Sequence, residues 1–132
     1  MKMRAFLLTA AALFALPWLF AQEGHPLRGT WHGNWGPDAK TRTDVTLVMD
    51  WDGKDVTGIL NPGLRSSALQ KTNFDAPALM FHFEADVKDR AGAVSHAVVD
   101  AKIENLTNMH RSLVGTWTQG GVKGDFKAIR DN

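Results

Sequence analysis

Apolar and polar side chains alternate along most of this chain, in short runs that end in turn-forming residues. Residues 43–51 show it best. Val45, Leu47, Met49 and Trp51 fall on one face, and Asp44, Thr46 and Asp50 on the other. A period of two over nine residues predicts a strand with one face buried and one wet. Residues 28–35 repeat the pattern with Trp31, Gly33 and Trp35, and residues 55–60 return after an Asp52-Gly53 turn. Residues 64–73 read as a weaker fourth strand, short or bulged. Leu79, Phe81 and Phe83 mark a fifth strand, with Met80, His82 and Glu84 opposite them. Residues 94–104 (Ala97, Val99, Ala101 and Ile103 inward), 112–119 (Leu113, Gly115, Trp117) and 122–130 (Gly124, Phe126, Ala128) complete the series. Gly36-Pro37-Asp38, Asn61-Pro62-Gly63, Asp75-Ala76-Pro77 and Gly120-Gly121 break the runs, where Gly admits positive φ and Pro withholds a hydrogen-bond donor.

About eight short strands with tight connections predict an all-β fold: a single antiparallel up-and-down barrel. Closure would leave no unpaired edge to recruit other chains. A two-sheet sandwich of the same length is the alternative.

The first 21 residues read differently. Lys2 and Arg4 precede an apolar stretch over residues 5–16 broken only by Thr9, and Leu19-Phe20-Ala21 supplies a signal-peptidase site. The expected division is a signal peptide over 1–21 and a barrel domain over 22–132. The apolar stretch is shorter than the roughly 20 residues of a membrane span. The expected product is therefore exported and soluble, periplasmic or secreted, with no stable span after cleavage.

Charge excludes more than it assigns. The chain has 15 Lys and Arg against 14 Asp and Glu. Without Lys2 and Arg4 the balance is 13 to 14, a net charge of −1, and no basic cluster addresses nucleic acid. With no cysteine, a thiol nucleophile, a Cys-ligated metal and a lipidated N-terminal Cys are all excluded, and core burial alone must hold the domain.

Gly29-Thr30-Trp31 at the first strand and Arg130 at the end of the last resemble the ends of calycin-type barrels: lipocalins, fatty-acid-binding proteins and avidins. In several of those families a basic residue of the last strand packs over the opening Trp. The resemblance therefore implies that Trp31 and Arg130 close one end of the barrel, through a cation–π contact. Gly115-Thr116-Trp117-Thr118-Gln119-Gly120-Gly121, with Val56-Thr57-Gly58, is similar to small exported bacterial lipocalin-like domains of unassigned activity. The polar biotin ligands of avidins have no counterparts here, and the chain contains no Tyr.

The inward positions Trp35, Leu47, Met49, Trp51, Phe81, Phe83, Val99, Trp117 and Phe126 are the candidate lining of a ligand site. Small residues interleave them, and that pattern fits either an interlocked core or a cavity for an apolar or amphiphilic guest. The expected function is a non-enzymatic exported barrel that takes such a ligand. A protein-interaction or structural envelope module with a filled core is the alternative.

Chemistry is sparse, and no cofactor is expected. There is no nucleophile elbow, phosphate loop or His-Glu-x-x-His helix. Asp50, Asp52 and Asp55 lack the spacing of a calcium loop and read as turn residues. Asn105-Leu106-Thr107 matches a glycosylation acceptor. His82 is expected opposite His96 on the outer face, where a shared metal would have only Glu84 as a further ligand. That set is short of the usual three or four protein ligands of zinc, so a solvated pair is the expectation and no metal is assigned.

Overall fold

The computed structural model describes residues 24–131, so the expected signal peptide over 1–21 lies outside the described residues. Nine strands follow in order: β1 (Gly29–Gly36), β2 (Thr43–Trp51), β3 (Val56–Leu60), β4 (Ser67–Ala68), β5 (Gln70–Asp75), β6 (Met80–Lys88), β7 (Val94–Glu104), β8 (Ser112–Gln119) and β9 (Val122–Arg130). They form one sheet in the order β4-β3-β2-β1-β9-β8-β7-β6-β5, antiparallel throughout. The chain is a nearly closed antiparallel barrel, compatible with a calycin-like architecture. No helix among the described residues is long and apolar enough to cross a membrane.

The count of nine against the expected eight has a local cause. Only Leu69 separates β4 from β5. The weak fourth strand is one extended segment with a kink: its first part pairs with β3, its second with β6. Lys71 takes a positive φ of 49°, and the β5–β6 register shifts between Gln70 and Asn73. A bulge bends a strand and sharpens its twist, which lets one segment bridge the two ends of the sheet. The seam is stitched by the Leu69 amide on the Gly58 carbonyl (3.0 Å), the Thr72 hydroxyl on the Val56 carbonyl (2.7 Å) and the Ser67 hydroxyl on the Asp86 carbonyl.

The faces follow the alternation. Trp31, Trp35, Val45, Leu47, Met49, Phe81, Phe83, Ala85, Ala97, Val99, Ala101, Ile103, Leu113, Trp117, Phe126 and Ala128 are buried in one core. Leu79 departs from expectation. It precedes β6 in a turn, with φ 56° and its amide on the Ala76 carbonyl, although its side chain still packs against the core. Gly115 shows why the core needs small residues. A Cβ there would collide with the Asp100 carbonyl of β7, so only glycine permits this strand spacing. At the β8–β9 hairpin, Gly120 and Gly121 both take positive φ (56° and 82°), as a two-residue turn matched to strand twist requires.

One end of the barrel is sealed by the segment before β1. Leu27 is fully buried, and its carbonyl accepts the Trp31 indole N–H at 2.9 Å. Trp31 and Arg130 are register partners on β1 and β9. Arg130 also donates to the Arg28 carbonyl at 3.3 Å, while its Nε is buried without an acceptor.

Candidate functional site

Eight of the nine lining candidates are buried in the core, and the ninth, Trp51, borders a small cleft of about 150 Å³ beside His25 and Phe74. Leu47, Phe81, Phe83, Val99, Trp117 and Phe126 are inaccessible to solvent, Met49 almost so, and Trp35 is 8% exposed. Their rings interlock. Trp117 stacks on Trp35 (centroids 5.6 Å apart, 12° between planes), meets Phe83 edge-on at 5.9 Å and tilts against Phe126 at 5.4 Å. Phe83 tilts against Phe81 at 5.5 Å. These offset, tilted and edge contacts are the arrangements that aromatic quadrupoles favour. Trp51 stands apart from the cluster of rings. Half-buried near the sealed end, it stacks on His25 at 5.2 Å. Burial there pushes the His25 imidazole below its ordinary 6.5, because a desolvated ring resists charging.

A larger space opens at the other end. In an up-and-down barrel alternate connections meet at one rim. Here the β3–β4 loop and the β6–β7 hairpin wall a cleft of about 660 Å³, within the range of small-molecule sites. Pro62, Leu64 and Val87 give it apolar surface; Arg65, Lys88 and Arg90 give it cations. None of these three cations is in an ion pair among the described residues. The Asp89 carboxylate, also on the rim, is engaged by the Ala91 and Ala93 amides at 2.8 and 2.9 Å. Asp44 is the other acid of the lining.

Gln119 joins the cleft to the core. Its Oε1 accepts the Trp117 indole N–H at 2.9 Å, and its Nε2 donates to the Ser95 hydroxyl at 2.8 Å. The buried tryptophan is thus one hydrogen bond from a residue that lines the mouth.

Sequence reasoning missed this rim. Arg65, Lys88 and Arg90 sit in or beside turns, where period-two alternation carries no information. The available signal was topological: turns after odd-numbered legs of such a barrel share one end. The remaining rim tie is Arg42, whose guanidinium forks onto the Asp125 carboxylate at 2.7 and 3.0 Å and reaches Asn34 Oδ1 at 2.7 Å. The hydrogen bonds from Arg42, helped by its charge, hold the Asp125 carboxyl below the usual range.

The expected pairing of His82 with His96 is corrected by the register. His82 faces Asp100, and His96 faces Asp86. Between them stands Glu84, whose Oε2 meets His82 Nε2 at 2.9 Å and whose Oε1 meets His96 Nε2 at 2.7 Å. The other ring nitrogens meet Asp100 and Asp86, each at 2.8 Å. The rings approach opposite oxygens of one carboxylate instead of converging on one point. Among the described residues no group of three His, Asp or Glu is placed to hold a metal ion. At the other suspected cation site, Asp52 Oδ1 accepts the Lys54 and Asp55 amides at 2.9 and 2.7 Å, the role of a turn residue.

No protein-family model matches this chain, and no curated protein or solved structure is significantly similar to it.

Proposed function

We propose that this protein is an exported, non-enzymatic, lipocalin-like barrel that binds a small amphiphilic molecule bearing an anionic head. The ligand sits at the open mouth, not in the depth of the barrel. The observation that carries the reading is the mouth cleft, where apolar side chains and three cations without ion-pair partners among the described residues line facing walls. An apolar tail would lie along Pro62, Leu64 and Val87, and an anionic head would meet Arg65, Lys88 and Arg90, with arginine forks suited to carboxylate or phosphate. Export rests on the basic and apolar pattern of residues 1–21.

Titration of tryptophan fluorescence with a medium-chain fatty acid, its methyl ester and an alkyl phosphate tests the proposal. The acid and the phosphate should perturb emission through Gln119 and Trp117, and the ester should bind at least tenfold more weakly. Replacing Arg65, Lys88 and Arg90 together by Gln should cost about tenfold or more. Three rim contacts of about 0.5–1 kcal/mol each give that factor. Equal binding of acid and ester, or no response to any of the three, would refute it.

A second reading, a docking module with a filled core, is favoured by one feature. Val48 and Ile59 are cross-strand partners on the outer face, both exposed. A folded protein deaf to all amphiphiles would favour that reading.

A further inference from the structure

The outer face of β6 and β7 carries an unbroken hydrogen-bonded chain: Asp100, His82, Glu84, His96, Asp86. Its geometry specifies a protonation state. An ionised carboxylate only accepts hydrogen bonds. Each imidazole has a carboxylate oxygen within 2.7–2.9 Å of both ring nitrogens, so all four hydrogen bonds are made only when both nitrogens of each ring carry protons and both rings are imidazolium. Two positive rings then alternate with three negative carboxylates, each contact charge-assisted. A neutral ring would turn one lone pair toward a carboxylate oxygen and leave three carboxylates compensated by little else.

The chain is anchored at the seam. Asp86 Oδ2 also accepts the Gln70 amide at 3.0 Å, and the Asp86 carbonyl accepts the Ser67 hydroxyl. Lys71 Nζ lies 3.9 Å from Glu84 Oε1. The kinked segment that closes the barrel is therefore held to β6 partly through the two carboxylates that the histidines orient. On the far side, β8 offers Thr116 opposite Asp100 and Thr118 opposite Val98, neither of which titrates near neutrality. Lys102, one outward position beyond Asp100 on β7, Lys88, one outward position beyond Asp86 on β6, and Lys123, opposite Thr118 on β9, are the nearest other cations in register. Lys71 is thus the one lysine in contact with the chain among the described residues.

We propose that the Asp100–His82–Glu84–His96–Asp86 chain is a pH-operated clasp on the barrel seam, closed while both imidazoles are protonated and released when they lose their protons. Release frees the segment of residues 67–75 from β6 and leaves the β1–β9–β8 wall intact. Glu84 and the flanking aspartates raise both histidines above their ordinary 6.5. A raised folded-state value means the histidine contribution is fully present below about 6.5 and lost as pH climbs through the folded values. Glu84, held down to about 2 chiefly by His96 and then His82, keeps its own contribution until acid takes it away between 4.5 and about 2. The clasp is closed in weakly acidic solution and opens as pH climbs through the two raised histidine values.

Amide hydrogen exchange of the folded protein, expressed as protection factors at pH 5.5 and pH 9, reads the clasp directly. Protection over residues 67–75 and 80–88 should fall tenfold or more between the two, while β1 and β9 change little. In a His82→Gln, His96→Gln variant that difference should vanish. Uniform loss across all strands, no loss at the seam, or the same loss in the double variant would each overturn the proposal. Should the double variant not fold, NMR titration of the wild-type imidazole Cε1–H signals decides: midpoints above 6.5 for both rings support the clasp, and a midpoint at or below 6.5 for either overturns it.

Discussion

Replacing Phe83 by Ala asks how full the barrel is. Its ring is wholly buried, with centroids 5.5 Å from Phe81 and 5.9 Å from the edge-on Trp117. Removing it loses the transfer free energy of a fully buried aromatic side chain, about 1.5–3 kcal/mol. It also loses two aromatic contacts of about 0.5–1.5 kcal/mol each, and leaves a cavity that the β6–β7–β8 wall can only partly collapse. Buried Phe→Ala changes accordingly cost about 3–5 kcal/mol, a large share of the roughly 5–15 kcal/mol that holds a domain of this kind together. With a urea dependence of about 1–3 kcal/mol per molar, the midpoint should drop by at least about 1 M, read in parallel by far-ultraviolet circular dichroism and tryptophan emission. The variant should also gain affinity for benzene or indole, which enter dry apolar cavities. If the barrel held an unfilled ligand chamber, the ring would border vacant space, and only part of the transfer term would be lost. A cost below about 1.5 kcal/mol with an unchanged slope would refute the filled core, and with it the placement of the ligand at the mouth.

Two further outcomes follow from the packing. Gly115→Ala sets a Cβ against the Asp100 carbonyl, a backbone atom locked in the β7–β8 ladder, and should cost about 1–3 kcal/mol by thermal or urea unfolding; an unchanged midpoint would mean the strands can separate at no cost. His25, lowered by burial beneath Trp51, contributes stability that is present above 6.5 and lost as pH falls through its folded value; His25→Gln should remove that part of the acid-side loss, and an identical pH profile in the variant would show the ring is not neutral in the folded chain.

The fold was legible because a barrel strand advertises itself twice, once on each face. In β2, Val45, Leu47 and Met49 turn inward and Asp44, Val48 and Asp50 outward, so the pattern predicts both strand and burial. The meeting of the first and last strands was legible too, since the ends of a closing sheet must pair, and it sets Trp31 opposite Arg130 in register. Residues 64–73 resisted because the segment serves two neighbours in succession. Its outward and inward positions swap partners at the kink, and Lys71 adopts a φ that alternation does not foresee. The His82–His96 pairing failed by register. The β6–β7 turn sits at Asp89–Gly92 and pairs Lys88 with Val94, so His82 lies four residues beyond the position opposite His96. Register is set by the turn, and a small error in the turn's place moves every cross-strand pair.

The same reasoning explains why a chain whose inward residues look like a pocket lining has its open space elsewhere. Eight legs enclose little more than their own side chains, and here five of the fully buried inward positions are aromatic: Trp31, Phe81, Phe83, Trp117 and Phe126. The glycines and alanines between them do not create room. Gly115, Gly33 and Gly124 let the neighbouring backbone come close, and Ala101 and Ala128 are themselves inaccessible, so the small residues tighten the ladder instead of opening it. A ligand-sized space must then come from chain that is not part of the ladder. The β3–β4 loop supplies it by projecting Pro62 and a fully exposed Leu64 above the rim, facing the β6–β7 hairpin. Selectivity at such a site depends on rim charge and loop length instead of barrel radius. On the proposed function, substitutions in residues 61–66 and 88–90 should therefore change what is bound while the fold stays as it is, and substitutions among the buried rings should do the reverse.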